Sequence, residues 1–193
     1  TIYALATPSG KSALAVIRIS GNNCDKILKK VCSTKKHTPN KTIISKIYSD
    51  KKNNKVLDTA MVTYFKKPRS YTGEDSVEIS LHGGTYIITE ILRVLGNTGF
   101  CRIAEQGEFT RRALENNKLN LTQAEAVIDL INAKTEIQKQ QAYEQLEGRL
   151  GNIIIGWTKK IKKILANVEA SIDFSEEDLP ANLENKIKEQ TKN

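Results

Sequence analysis

After Arg102 the hydrophobic pattern of the chain becomes helical and stays so to the end of the apolar stripe. Before that point, the string SVEISL places apolar residues at every second position, which is typical of a half-buried strand, and ALAVIRIS is a strongly apolar strand candidate. After it, apolar residues recur three and four positions apart, which is typical of amphipathic helices. This change predicts an α+β domain with a mixed sheet and short helices, followed by an all-α segment with a long helix.

Turn signals divide the first part of the chain into strands and helices. The strings TPSG and SG follow apolar runs, and Gly96 follows a helical run. Because strands and helices are mixed without strict alternation, a doubly wound parallel sheet is disfavoured. We predict strands at residues 2–6, 13–19, 42–48, 58–65 and 76–81, and helices at 23–31 and 85–95.

The second part of the chain is predicted to be helical. After a helix at 108–115, Thr122 and Glu125 form the T-x-x-E pattern of a capping box. An apolar stripe over residues 146–172 predicts one long helix, which Pro180 ends or turns. Since this segment offers little apolar surface of its own, we expect it to pack on more chain or another subunit. We therefore interpret the sequence as the front portion of a longer protein.

Positive charge is concentrated in the first third of the chain. Residues 1–70 hold 15 Lys and Arg against 3 Asp and Glu, whereas residues 71–193 hold 15 against 19. Such a patch attracts polyanions, including RNA or a polyglutamylated ligand. However, the strings KKVCSTKKHTPNK and SDKKNNK contain no interleaved aromatic residues, which favours solvated loops.

Several functional classes are disfavoured by the sequence. No apolar run approaches the roughly 20 residues of a membrane span, and TIYALATPSG lacks the pattern of a signal peptide, so a cytoplasmic location is predicted. Three cysteines without CxxC spacing predict reduced structural thiols. The chain has two histidines and no GxxxxGKS, GxxxxGKT, GxGxxG or HExxH motif, so neither a metal site nor a complete catalytic apparatus is expected.

Arg18 and Glu78 are the first candidate site residues. Arg18 lies inside the apolar string ALAVIRIS, where a guanidinium is costly to bury unless it is paired. Glu78 alternates with Val77 and Ile79 and therefore lies on the opposite face of its strand. Two interpretations remain open: an ion pair such as Arg18 with Glu78 that closes the sheet, or an arginine that receives a ligand's carboxylate or carbonyl.

Two further candidates are His82 and Lys118. His82 precedes Gly83 and Gly84, which let the backbone turn or approach something closely. It is either a general base or a side chain hydrogen-bonded to a turn. Lys118 projects from a polar loop between two helices and is either a ligand contact or a solvated charge.

The strings ATPSGKSALAVIRISG, PRSYTGEDSVEISLHGG and IAEQGEFTRRALENNKLNLTQAEAVIDLINAKTE, in this order and at these distances, closely resemble the tRNA modification GTPase MnmE (TrmE) family. The resemblance implies a domain at 1–117 that is similar to the tetrahydrofolate-binding domain of the glycine-cleavage T-protein and that forms a homodimer. It implies that residues 118–193 begin a helical domain, which is interrupted before the GTPase domain.

The resemblance also implies site residues, cofactors and partners. The family's folate contacts match Arg18 in VIRISG, Glu78 in GEDSVE and Lys118 in NNKLNL. The implied ligand is 5-formyltetrahydrofolate or a related one-carbon folate, which Gly83 and Gly84 would let approach. The whole protein is expected to use GTP, magnesium and potassium, and to modify the wobble uridine of tRNA with the flavoprotein MnmG. No membrane or DNA partner is implied.

Two departures and two alternatives accompany the resemblance. Asn120 stands where the family commonly has Asp, and Lys11 and Ser12 stand where Arg-Gly or Gly-Gly is usual. Without a phosphate loop, these 193 residues are not expected to hydrolyse GTP. The alternatives are a folate-dependent aminomethyltransferase-like protein and a basic RNA-binding module.

Overall fold

A six-stranded mixed sheet organises the first 119 residues of the chain in the computed structural model, which describes residues 1–34 and 37–173. The strand order is β3-β4-β5-β2-β1-β6, and every neighbouring pair is antiparallel except β1 and β6. The predicted α+β class is confirmed. The strands are β1 (Ile2–Leu5), β2 (Leu14–Ser20), β3 (Thr42–Asp50), β4 (Lys55–Phe65), β5 (Ser76–His82) and β6 (Arg102–Ile103).

Helices α1 (Cys24–Val31) and α2 (Thr85–Gly96) pack against one face of this sheet, and the shorter α3 (Glu108–Glu115) follows β6. Alternation along β2 and β5 directs Ile17 and Ile79 into the core, where both are fully buried. A one-residue slip in register would bring the charged side chains of these strands into that core, so the apolar pattern specifies the register.

Residues 120–173 belong to a second unit, which contains α4 (Leu121–Asn132), α5 (Glu136–Leu146) and α6 (Arg149–Asp173). The predicted single long helix is wrong at its start, because Gly148 adopts φ +83° and separates α5 from α6. The predicted turn at Pro180 lies outside the described residues. None of the described helices combines the length and the apolar character that a membrane span needs.

The predicted capping box at the start of α4 is also wrong. Asn120, not Thr122, is the cap: its side chain accepts a hydrogen bond from Gln123 N at 2.8 Å, and the Gln123 side chain accepts one from Asn120 N at 3.0 Å. Thr122 instead donates to Asn120 Oδ1. The sequence NLTQAE contains two overlapping capping patterns, and the extended backbone at Asn120 selects the earlier one.

The three cysteines are free thiols, as predicted. Cys24 and Cys32 are buried, and burial raises the pKa of each thiol to about 12. Because the thiolate is the reactive form, both thiols are chemically inert at neutral pH and serve the core.

Gly83 at the end of β5 lies against the backbone of the preceding loop. Ser12 N donates to Gly83 O at 3.1 Å, and Gly83 N donates to Ala13 O at 3.3 Å. A Cβ at this position would lie 2.5 Å from the carbonyl oxygen of Ser12. The close approach that the sequence predicted is therefore made by the chain itself.

Replacing Gly83 with alanine is expected to lower the free energy of unfolding by about 2 kcal/mol, because the added methyl forces the Ser12 backbone to move. Gly84→Ala is the matched control, since its Cβ would lie 3.6 Å from the Ile87 side chain, an ordinary contact. Urea denaturation of both variants measures the difference. Equal stability of the two would contradict the close approach.

Candidate functional site

Arg18 and Glu78 face each other on neighbouring strands. They are register partners in the antiparallel pair of β2 and β5, and both lie on the face opposite the core. Arg18 Nη2 and Nε donate to Glu78 Oε1 at 2.8 and 3.0 Å. The side chains remain 28% and 33% exposed. The ion pair anticipated from the sequence is therefore present, and it lies at an accessible surface.

The Arg18–Glu78 pair does not use all of its hydrogen-bonding groups. Both hydrogen bonds end on the same carboxylate oxygen, and no other hydrogen bond among the described residues reaches Glu78 Oε2 or Arg18 Nη1. A carboxylate oxygen accepts up to two hydrogen bonds, and each terminal guanidinium nitrogen donates two. The site can therefore offer an acceptor and donors to one ligand without breaking the ion pair.

Two aromatic rings hold the Arg18 guanidinium. Its central carbon lies 5.2 Å from the centroid of the Tyr71 ring and 5.8 Å from that of Phe109. The Tyr71 hydroxyl is hydrogen-bonded to Thr110 Oγ1 at 2.9 Å, which fixes the ring against α3. Cation–π contacts of this kind contribute about 0.5–1 kcal/mol at accessible sites and orient a planar guanidinium.

Lys118 reaches the same region through a loop. Its Nζ donates to Pro68 O at 3.2 Å, and its stem lies against Gly73. Pro68, Tyr71 and Gly73 belong to the connection between β4 and β5, residues 66–75, which we call the 66–75 loop. This loop contacts both Arg18 and Lys118, although no contact joins Lys118 directly to Arg18 or Glu78 among the described residues.

An ionic network centred on the buried Glu108 supports the 66–75 loop and was not predicted from the sequence. Glu108 is 2% exposed and receives a two-pronged contact from Arg102, at 2.6 and 2.9 Å. Arg112 contacts Glu108 at 3.3 Å and Glu74 of the loop at 2.8 Å. Hydrogen bonds from Arg102 in particular lower the pKa of Glu108 to about 2. The sequence feature that could have indicated this network is the i,i+4 spacing of Glu108 and Arg112 at the start of a helix.

Hydroxyl groups extend this network to the sheet. Ser20 Oγ donates to Glu74 Oε2 at 2.8 Å and lies 2.7 Å from Thr72 Oγ1, which in turn lies 3.2 Å from Ser76 Oγ. All three hydroxyl residues are buried. In the string GEDSVE, the first glutamate is therefore structural, and the second faces the open side of the sheet.

His82 is paired with a carboxylate of the adjacent strand rather than with a turn. Its Nδ1 lies 2.9 Å from Asp58 Oδ1, and its backbone N donates to Asp58 Oδ2 at 2.9 Å. The side chain is 71% exposed. The predicted hydrogen bond to a turn is therefore wrong, because the partner is Asp58 of β4, and the general-base alternative stays a hypothesis.

The fold and the site define a class of two-domain chain: an α+β domain with a charged pair on its open sheet face, continued by an all-α domain. The family described as GTP-binding protein TrmE N-terminus matches residues 1–118, and the MnmE helical domain matches residues 121–193. The chain belongs to the MnmE (TrmE) family.

Similar proteins carry consistent names. The chain is 47% identical over 180 residues to the tRNA modification GTPase MnmE of Caulobacter vibrioides, which covers 93% of the chain and 39% of that protein. It is 42% identical over 183 residues to MnmE of Parvibaculum lavamentivorans, and this match covers 95% of the chain and 42% of that protein. It is 43% identical over 190 residues to the human mitochondrial 5-taurinomethyluridine-[tRNA] synthase subunit GTPB3, and this match covers 98% of the chain and 38% of that protein. The chain thus spans about two fifths of the length of these relatives.

Proposed function

We propose that this chain is the folate-binding, homodimer-forming front portion of a tRNA modification GTPase. The observation that carries the proposal is the Arg18–Glu78 pair, which lies on the accessible face of the sheet with one carboxylate oxygen and one guanidinium nitrogen free of partners among the described residues. Family membership favours this function over that of an aminomethyltransferase-like protein.

The chemistry of the donor set fits a reduced folate. The aminopyrimidine edge of a pterin is rich in N–H donors, and Glu78 offers a carboxylate acceptor. The benzoyl-glutamate tail is anionic, and Arg18 and Lys118 offer cations. Each charge-assisted contact of this kind contributes roughly 1.5–3 kcal/mol when it is shielded from water. We propose Arg18, Glu78 and Lys118 as the residues that hold 5-formyltetrahydrofolate or a related one-carbon folate.

The remaining features of the proposal concern the whole protein. The names of the bacterial relatives support a role in tRNA modification and GTP hydrolysis. We propose that the whole protein makes 5-carboxymethylaminomethyluridine at the wobble position of tRNA together with MnmG, using GTP, magnesium and potassium. This chain has no phosphate-loop motif, so its own part is binding and self-association. The cytoplasmic location stays a prediction, since the human relative is named as mitochondrial.

Isothermal titration calorimetry of the 193-residue chain with 5-formyltetrahydrofolate tests the proposal. We expect one site per chain, and a Lys118→Ala variant that binds about 10-fold more weakly, because one exposed charge-assisted contact is lost. Lys41→Ala is the matched control, since Lys41 is also exposed but its side chain forms no hydrogen bond to the 66–75 loop among the described residues. No heat of binding with the unmodified chain would reject folate binding, and equal affinities for the two variants would reject the role of Lys118.

A further inference from the structure

A groove on the helix-bearing side of the sheet collects lysines from separate segments of the chain. It encloses about 680 Å³ between α1, the β3–β4 turn and the end of α2. Its cationic lining consists of Lys30, Lys51, Lys52, Lys55 and Arg93, against two carboxylates, Asp50 and Glu90. We call this feature the lysine groove. It has a surplus of three positive charges, contributed by segments that the sequence separates by up to 63 positions.

Three of the five cations build the walls of the groove. Lys51 Nζ donates to the carbonyl oxygens of Lys29 at 2.8 Å and of Cys32, and so closes the end of α1. Lys30 Nζ donates to Thr98 O at 3.0 Å, which connects α1 to the end of α2. Arg93 is bound in a two-pronged ion pair to Glu90, at 2.7 and 2.8 Å. These contacts give the groove a defined shape.

The other two cations are available to a ligand. Lys52 and Lys55 are exposed, and within residues 1–34 and 37–173 neither ammonium group forms an ion pair or a side-chain hydrogen bond. Lys52 and Lys55 interact electrostatically with Asp50 and Glu90, respectively, but the groove keeps a surplus of positive charge, which presents the kind of potential that concentrates polyanions.

Two aromatic rings lie beside other lysines of α1 and the β3–β4 turn. Tyr48 lines the groove, and Lys51 Nζ lies 5.9 Å from the centroid of its ring. Lys26 and Lys30 lie 5.8 and 5.4 Å from the centroid of Phe100. The lysine-rich strings contain no aromatic residues, which favoured solvated loops, but Tyr48 directly precedes the string SDKKNNK and the fold brings Phe100 to the lysines of α1. Lysines interleaved with aromatic rings are typical of surfaces that bind nucleic acid.

From this arrangement we infer that the lysine groove binds the phosphate backbone of RNA, and that Lys52 and Lys55 contact phosphates. The identification of that RNA as tRNA rests on the proposed function. The groove lies on the side of the sheet opposite the Arg18–Glu78 pair, so RNA and folate would occupy different faces of the domain. Phosphate contacts hold and orient RNA without reading its sequence.

Filter binding of an unmodified tRNA transcript to the 193-residue chain, over a range of salt concentrations, tests this inference. For a Lys52→Gln/Lys55→Gln variant we expect at least about 10-fold weaker binding at 0.1 M salt, and a slope of log affinity against log salt that is smaller by about 2, because two phosphate contacts are lost. Lys41→Gln/Lys46→Gln is the matched control, with the same change in net charge at exposed lysines outside the groove.

Equal losses in the two double variants would overturn the inference, and so would an unmodified chain whose affinity does not depend on salt, or competition by poly-L-glutamate as strong as that by RNA at equal charge. Calorimetry with 5-formyltetrahydrofolate on the Lys52→Gln/Lys55→Gln variant separates the two proposals. Unchanged folate binding beside weakened tRNA binding supports the groove as a distinct site. If the unmodified chain binds folate but no tRNA, the inference about the lysine groove is overturned and the folate proposal stands.

Discussion

Replacing Glu108 with alanine is expected to lower the free energy of unfolding by about 3 kcal/mol, because a buried carboxylate with several charged partners is removed from the interior. The substitution leaves Arg112 Nη2 and the backbone N–H of Glu105 without the carboxylate oxygens that accept their hydrogen bonds. It also removes the anchor that holds Arg112 toward Glu74 of the 66–75 loop. Chemical denaturation measures the effect.

The control for this prediction lies on the same helix. Glu115 is 64% exposed, and its only ion pair is at 4.0 Å from Arg111 among the described residues. Glu115→Ala is therefore expected to change the free energy of unfolding by less than about 0.5 kcal/mol. If the two alanine variants were equally stable, the ionic network would not support the loop.

The Glu108 contribution should disappear in acid, with a sign that follows from its pKa. The folded-state pKa is lowered from 4.5 to about 2, chiefly by the hydrogen bonds from Arg102. The unfolded state therefore binds the proton more readily, and the stabilisation is complete above about pH 4.5 and is lost as the pH falls toward 2. The difference between the unmodified chain and Glu108→Ala should shrink over this window. A constant difference would contradict the assignment.

Much of the sheet unit is predictable because its strands have two chemically different faces. An apolar run closed by Ser20 and Gly21 indicated β2, and alternation indicated β5, each to within one residue at each end; the alternation also indicated that Glu78 faces away from the core. The two-residue β6 has no alternation to detect. It is held by backbone hydrogen bonds from Arg102 N to Thr1 O and from Ala104 N to Tyr3 O. These bonds form only because the fold places β1 beside residues that follow it by about 100 positions, which local sequence does not indicate.

The helical unit was harder to divide because its signals are local and ambiguous. The sequence of α5, EIQKQQAYEQL, has few apolar residues and no apolar stripe, so the helix was not predicted separately. Its start is defined by a capping box of Thr135 and Gln138, and its end lies just before Gly148 at positive φ. Apolar periodicity alone continues across that glycine and therefore placed the start of the long helix at Leu146 rather than at Arg149.

At the candidate site, sequence reasoning indicated the charged residues but not what surrounds them. The need of Arg18 for a partner follows from its apolar strand, and Glu78 was a stated candidate. The rings of Tyr71 and Phe109 could not be placed from the sequence, because their positions beside Arg18 depend on the packing of the 66–75 loop against α3. The Glu108 network, which connects residues up to 38 positions apart, was missed for the same reason.

The two interpretations of Arg18, structural ion pair or ligand contact, predict opposite patterns in a double-mutant cycle. As an ion pair with both side chains about one third exposed, Arg18 and Glu78 should contribute no more than about 1 kcal/mol to stability. As ligand contacts they contribute roughly 1.5–3 kcal/mol each to binding. We therefore expect Arg18→Ala and Glu78→Ala each to bind 5-formyltetrahydrofolate about 100-fold more weakly, while remaining folded.

Calorimetry and urea denaturation of the two single variants and the double variant decide between these interpretations. Arg93→Ala is the matched control, since Arg93 forms a comparable ion pair with Glu90 but lies in the lysine groove, on the other side of the sheet. Its affinity for folate should equal that of the unmodified chain. If Arg18→Ala also bound folate equally well, the pair would be purely structural, and folate binding on this domain would have to use other residues. A large loss of affinity with a small loss of stability requires that Arg18 and Glu78 contact the ligand, because removing a surface ion pair cannot by itself account for a 100-fold change in binding.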